Sequence, residues 1–131
     1  MLKVVCGVIF NDDQEILLTR RSKGEFAGKW EFPGGKLERG ETYEECLTRE
    51  LEEELSIRVS IKSHYTDYIY SYPNFSVNLI VMFCLFEGGE IKLTDHDKFS
   101  WVIPTDLKQY EVVDGDVRLV DKITSERVSL L

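Results

Sequence analysis

Gly34-Gly35-Lys36-Leu37-Glu38-Arg39-Gly40-Glu41, followed shortly by Arg49-Glu50-Leu51-Glu52-Glu53-Glu54, is the stretch on which the reading of this chain turns. Seven of the fourteen residues from Glu41 to Glu54 are carboxylates, and Arg49 is the single base among them. On a helix, positions 50, 53 and 54 stand at i, i+3 and i+4, so their carboxylates share one face. Like charges at that spacing cost roughly 0.2–0.5 kcal/mol per pair, so stability alone would not gather them. A divalent cation reverses the balance, because Mg²⁺ takes oxygen ligands and keeps positions open for phosphate oxygens. A solvated acidic face is the ordinary alternative; the spacing back to Gly35 and Glu41 favours the metal.

The helix itself is written plainly. Thr42 and Glu45 make a T-x-x-E capping box that starts it at Tyr43. Leu47, Leu51 and Leu55 recur every four residues as an apolar stripe. The face bearing Glu50, Glu53 and Glu54 lies beside that stripe, so the carboxylates are expected to border a cleft where helix meets sheet.

Before the helix, Lys3 to Phe10 is apolar and β-branched, and Asn11-Asp12-Asp13 turns it into a partner strand from Glu15 to Arg20. Ser22 to Lys29 reads as a loop, and Trp30 to Phe32 as a short strand. After the helix, strands are expected at Ile57 to Ile61, at His64 to Tyr72 and at Phe75 to Phe86. The last two form a long hairpin through Tyr72-Pro73-Asn74-Phe75. Glu90 to Leu93 and Ser100 to Ile103 read as further strands, Pro104 to Leu107 as a helical turn, and Asp116 to Ser125 as a closing helix. Strands around one central helix, with a second helix at the end, predict a mixed α/β sandwich in one domain over 1–131.

Composition narrows the function. The net charge of −8 argues against a nucleic-acid polymer as partner, since polymer binding needs clustered Lys and Arg. A small nucleotide stays open, because bound metal reverses the local sign. No apolar run reaches the roughly 18–20 residues of a membrane span, and no signal peptide is legible at the start, so a cytoplasmic protein without membrane partner is expected. Cys6, Cys46 and Cys84 are odd in number and without a CxxC pattern, as for reduced thiols.

These residues resemble the Nudix box, G-x5-E-x7-R-E-U-x-E-E-x-G-U with U apolar. The match runs from Gly35 to Glu41, through Arg49-Glu50-Leu51 and Glu53-Glu54, and ends at Ile57. One position departs: Ser56 stands where the box has glycine, at a helix exit that favours positive φ. Phe26 to Lys36, Thr19-Arg20-Arg21 and Asp95-His96 ahead of Trp101 are similar to segments of MutT-like members. The resemblance implies the Nudix α/β/α sandwich with a mixed central sheet, and hydrolysis of nucleoside diphosphates linked to another group with Mg²⁺ or Mn²⁺. It implies Glu50, Glu53, Glu54 and the Gly35 carbonyl as metal ligands, with Arg49 holding the carboxylates and Glu41 supporting the metal shell. Glu50, or alternatively Asp95, would be the general base, and Arg21 would reach the phosphates.

Read without the resemblance, Arg21 is equally a residue at a strand end, Asp95 a turn residue and Asp116 part of an Asp-Gly-Asp turn. Phe32 is a candidate for stacking on a base, and the resemblance to MutT-like members, which place Asn or Asp at the start of the last helix, makes Asp116 one for accepting hydrogen bonds from a base edge. The same resemblance implies a nucleoside triphosphate as substrate, cleaved to monophosphate and pyrophosphate. Cytidine triphosphates and 8-oxo-dGTP lead, and Phe75 at the hairpin tip, where guanine-reading relatives carry arginine, tilts the choice towards cytidine. Nucleotide sugars, dinucleoside polyphosphates and a non-catalytic nucleotide-sensing role are the alternatives. A monomer or weak dimer is expected.

Overall fold

A computed structural model describes residues 1–129; positions 130 and 131 of the expected domain lie outside them. The strands are β1 (Leu2–Phe10), β2 (Ile16–Arg21), β3 (Trp30–Glu31), β4 (Gly34–Lys36), β5 (Arg58–Ser71), β6 (Ser76–Gly88) and β7 (His96–Val102). Helix α1 spans Tyr43–Leu55 and α2 spans Val117–Glu126, preceded by 3-10 turns at Pro104–Gln109 and Asp114–Asp116.

All seven strands join one mixed sheet with the path β3-β2-β1-β6-β5. β1 lies parallel to β6, from Leu2 opposite Val77 to Phe10 opposite Leu85. Its residues alternate between two cores, as strand geometry requires. Val5 and Ile9 face α1 with Leu47, Leu51 and Leu55. Cys6, Val8 and Phe10 face the other way, with Leu119, Val120 and Ile123 of α2. The sheet is therefore covered on both faces, giving the α/β/α sandwich. Gly7 leaves room within this core, for a Cβ there would stand 3.1 Å from the Ile9 side chain and 3.3 Å from Cys84 Sγ.

The sheet opens where the site will form. β1 and β2 pair only at Phe10 and Ile16, across a turn in which Asn11 Oδ1 accepts the amides of Asp13 and Glu15 at 3.0 and 2.9 Å. Beyond that point they part. The start of β1 pairs with β4, while β2 pairs with β7 and β3.

Helix α1 begins as its capping box dictates: Thr42 Oγ1 accepts the Glu45 amide at 3.1 Å, and Glu45 Oε1 accepts the Thr42 amide at 2.9 Å. Ser56 closes it in the left-handed region, φ 58° and ψ 34°, donating its amide to the Glu52 carbonyl at 3.0 Å. Serine thus adopts the exit that the box reserves for glycine, at a conformational cost of about 1 kcal/mol.

Three expectations change. Ile57 to Ile61 and His64 to Tyr72 belong to one long strand, β5, whose register against β6 shifts between Ile61 and Ser63 and again between His64 and Thr66. Such bulges insert a residue without ending the ladder. Glu90 to Leu93 is not a strand; Gly89, at φ +106°, packs on the Ser56 carbonyl, and the Lys92 amide goes to the Leu55 carbonyl at 3.0 Å. The final strand starts at His96 rather than Ser100, because β2 extends to Arg21 and supplies a partner there.

All three cysteines are free and buried, and burial raises each thiol pKa, to about 11 for Cys46, which disfavours the reactive thiolate. No helix among the described residues is long and apolar enough to cross a membrane.

Candidate active site

Arg49 is the knot of the acidic helix face. Its Nε and Nη2 donate to the two oxygens of Glu41 at 2.6 and 2.9 Å, the bidentate fork that guanidinium geometry favours. Nη1 donates to Glu50 Oε1 at 3.0 Å and Glu53 Oε2 at 3.2 Å, and Nη2 reaches the Lys36 carbonyl at 3.2 Å. One side chain therefore ties β4, the helix entry and two of the three clustered glutamates. The Arg49 guanidinium holds the Glu41 carboxyl well below the usual carboxylate range, at about 2.

The three glutamates are not equivalent. The Glu50 side chain is only 13% exposed, whereas that of Glu53 is 61% exposed. Glu50 packs directly on the backbone of Gly35, where a Cβ would collide with its carboxylate. Burial, then the neighbouring Glu50 carboxylate, pushes Glu54 up to about 8, with Glu31 and Asp95 adding to the shift. Among the described residues no three Asp, Glu, His or Cys groups converge as a finished metal cage. Even so, two adjacent carboxylates over a bare glycine backbone form an oxygen-only donor set, whose mutual repulsion a cation would relieve. The residues fit a hard divalent ion.

Two cavities meet at Arg21. One, of about 260 Å³, is lined by Arg21, Lys23, Glu54, Asp95 and His96. Asp95 is held at its rim by Lys23, 3.6 Å away, and by Ser22 Oγ donating to its carbonyl at 2.8 Å. The other, of about 240 Å³, sits where β1 and β2 part, between Val4, Phe26, Tyr72, Phe75 and Asp116, and Arg21 and Glu31 line it too. A larger depression, about 770 Å³, runs along the outer side of α1 and is lined by Glu44, Glu45, Thr48, Arg49, Glu52 and Glu53. Its four carboxylates outnumber the one guanidinium, and it lacks aromatic walls.

Arg21 Nη1 donates to Glu31 Oε1 at 3.1 Å, while its Nε is buried with no protein partner. Glu31 Oε2 also meets His96 Nε2 at 2.8 Å, so this one carboxylate braces both residues. Asp116 is 6% exposed and accepts the Phe32 amide on Oδ2 at 3.0 Å. Burial pushes its carboxyl up to about 7, against the lowering effect of that hydrogen bond.

The structure thus brings Arg49, Glu50 and Glu53 together, and sets Glu54, Asp95 and Arg21 around the smaller charged cavity. Phe32 is placed otherwise than expected: its ring is 3% exposed and packs in the core beneath α2, leaving no open face for stacking. Phe32 touches the site through its amide. The ring walls come instead from Phe26, Tyr72 and Phe75, of which only Phe75, at the hairpin tip, was singled out from the sequence. Glu31 was missed as well, although a charge between two aromatics on a short strand is a signal that it faces away from the core.

A helix face crowded with acids, next to a pocket with aromatic walls and one buried carboxyl, is equipment for an enzyme that handles a polyanion through cations. The chain belongs to the NUDIX family: the NUDIX domain model matches residues 2–123. It is 27% identical over 129 residues to the CTP pyrophosphohydrolase of Escherichia coli K12, covering 98% of this chain and 96% of that one. With the 8-oxo-dGTP diphosphatase of Haemophilus influenzae it shares 31% identity over 127 residues, covering 96% and 93%. The crystal structure of the MutT protein from Methanosarcina mazei Go1 superimposes with a TM-score of 0.83 at 27% identity, covering 96% of this chain and 94% of that one. The chain is a MutT-like Nudix hydrolase acting on phosphorus-containing anhydrides.

Proposed function

We propose that the protein hydrolyses a nucleoside triphosphate to the monophosphate and pyrophosphate, with Mg²⁺ or Mn²⁺, and that cytidine triphosphates are its preferred class. The observation carrying this reading is that the aromatic cavity beside Asp116 and the carboxylate-lined cavity share Arg21 as a common wall. A base in the first places its phosphates past Arg21 towards Glu50 and Glu54.

Glu50, Glu53, Glu54 and the Gly35 carbonyl would hold the divalent ion, which supplies charge neutralisation of the polyphosphate and a more acidic attacking water. Arg49 keeps the glutamate rotamers fixed, a supporting task worth ten- to a hundredfold in comparable sites. Arg21, braced by Glu31, offers its unpartnered Nε to phosphate oxygens. Glu50 accepts the proton of the water as its oxygen bonds to phosphorus and the bridging P–O bond breaks, with Asp95 as the alternative base.

The base preference follows from hydrogen-bond supply. Asp116 Oδ2 is occupied by the Phe32 amide, so Oδ1 remains to accept from an exocyclic amino group such as cytosine N4. Phe75 at the hairpin tip supplies a ring and no donor for a guanine oxygen. The test is pyrophosphate release from CTP, dCTP, 5-methyl-dCTP, UTP, dGTP and 8-oxo-dGTP, beside cleavage of ADP-ribose and Ap4A. Turnover led by the cytidine triphosphates supports the proposal. Inert triphosphates beside cleaved ADP-ribose would overturn it.

A further inference from the structure

We propose that Tyr68 and Tyr72 are positioning residues for base selection, gripping Gly115 from two sides so that Asp116 presents its carboxyl to the base pocket. This rests on the reading that the cavity beside Asp116 receives the base.

Gly115 precedes Asp116, and both of its backbone polar groups are held by phenol hydroxyls. Its amide donates to Tyr72 Oη at 3.2 Å, and its carbonyl accepts from Tyr68 Oη at 2.6 Å. Tyr68 and Tyr72 are four residues apart along the outgoing arm of the long hairpin, so their side chains leave the same face. Burial raises both phenol pKa values, which keeps the hydroxyls protonated and neutral. The Asp116 amide then bonds the Val113 carbonyl at 2.9 Å, and its carboxyl receives the Phe32 amide. The path from the hairpin to Asp116 is two phenol hydrogen bonds to Gly115 and the peptide bond that joins Gly115 to Asp116.

The need for glycine at 115 is spatial. Gly115 lies outside the left-handed region, but a Cβ there would stand 2.8 Å from Tyr72 Oη. Side chain and backbone are fitted so closely that an added methyl would force the hydroxyl to move. Tyr72 also forms part of the pocket wall, its ring stacked on Phe75 at 4.9 Å and 5.6 Å from Phe26. One residue thus sets both the aromatic wall and the height of the polar reader.

The experiment compares the full chain with Tyr68→Phe, Tyr72→Phe, Gly115→Ala and Gly115→Ala/Tyr72→Phe, and with each tyrosine variant in an Asp116→Asn background. Tyr65→Phe is the control, for its hydroxyl bonds Glu126, away from the pocket. Two readouts are taken: the kcat/KM ratio between the best and worst bases, and calorimetric binding of CMP and UMP without metal. Each tyrosine variant is expected to reduce the ratio roughly three- to tenfold, mainly through KM, the size of one lost net hydrogen bond. Tyr65→Phe should leave the ratio unchanged. In the Asp116→Asn background neither tyrosine variant should reduce it further, because the hydroxyls act through that carboxyl. Gly115→Ala should cost selectivity, and adding Tyr72→Phe should restore part of it by removing the atom the new Cβ meets.

Unchanged ratios in Tyr68→Phe and Tyr72→Phe, or losses that add fully to that of Asp116→Asn, would overturn the clamp while leaving the functional reading intact. A wild type that binds neither monophosphate and makes no distinction between bases overturns the functional reading and the clamp with it.

Discussion

The two ends of the cleft are built on opposite plans. At α1, charged groups are held by a charged group: Arg49 joins Glu41, Glu50 and Glu53 within one contiguous stretch of chain. At the proposed base pocket, a single buried carboxyl accepts one backbone amide, that of Phe32 just after β3, while two phenols of the hairpin hold the neighbouring Gly115. The first plan suits chemistry that stays the same across substrates, because the cations proposed there would resolve its repulsion. The second suits discrimination, because a buried carboxyl in a shaped pocket makes each mismatched hydrogen bond expensive.

That contrast can be broken most sharply at Arg49. Arg49→Lys keeps the charge and loses the fork to Glu41, and is expected to lower kcat about ten- to hundredfold with the base ratio unchanged. A steady-state comparison across two bases measures both. Equal loss of turnover and selectivity would mean that the two ends are not separable.

Asp116→Asn probes the other end through pH. The Asp116 carboxyl titrates at about 7 in the folded chain against an ordinary value of 3.8. Its protonated form stabilises the fold fully below about pH 4, and that contribution is lost as pH rises through 7. Between pH 5 and pH 8 the wild type should therefore lose about 2 kcal/mol more stability than Asp116→Asn, read by urea unfolding. Parallel profiles would show that the burial of this carboxyl is not costly.

The smallest effect belongs to the helix exit. Ser56→Gly should stabilise the chain by about 1 kcal/mol and leave turnover untouched, since Ser56 already holds φ 58°. A destabilised variant would show that the serine hydroxyl contributes more than its backbone strain costs.

Legibility follows the same division. The α1 end was readable because its capping box, leucine stripe and glutamates are local, and the structure places Leu47, Leu51 and Leu55 in the core as the spacing predicts. The base pocket was only partly readable. Asp116 could be nominated from its place before the last helix, yet Tyr72 and Gly115 acquire meaning only when the hairpin folds back over residues 113 to 116, and Glu31 only when β2 and β7 bring Arg21 and His96 beside it. Phe32 shows the limit: an aromatic beside a glycine turn suits both stacking and core packing, and the chain leaving β3 turns its ring to the same core as Trp30. Glu90 to Leu93 failed for a related reason, for its pattern resembled a strand while two glycines with positive φ steered the chain to the end of α1.

Manganese binding, followed by electron paramagnetic resonance on the wild type and on Glu50→Gln, Glu53→Gln and Glu54→Gln, addresses the central claim without depending on which nucleotide is used. The account predicts a bound ion in the wild type, weakened in each variant, with CTP hydrolysis falling alongside by about 10²- to 10⁴-fold for Glu50→Gln. Wild-type affinity retained in all three variants, with turnover intact, would contradict it.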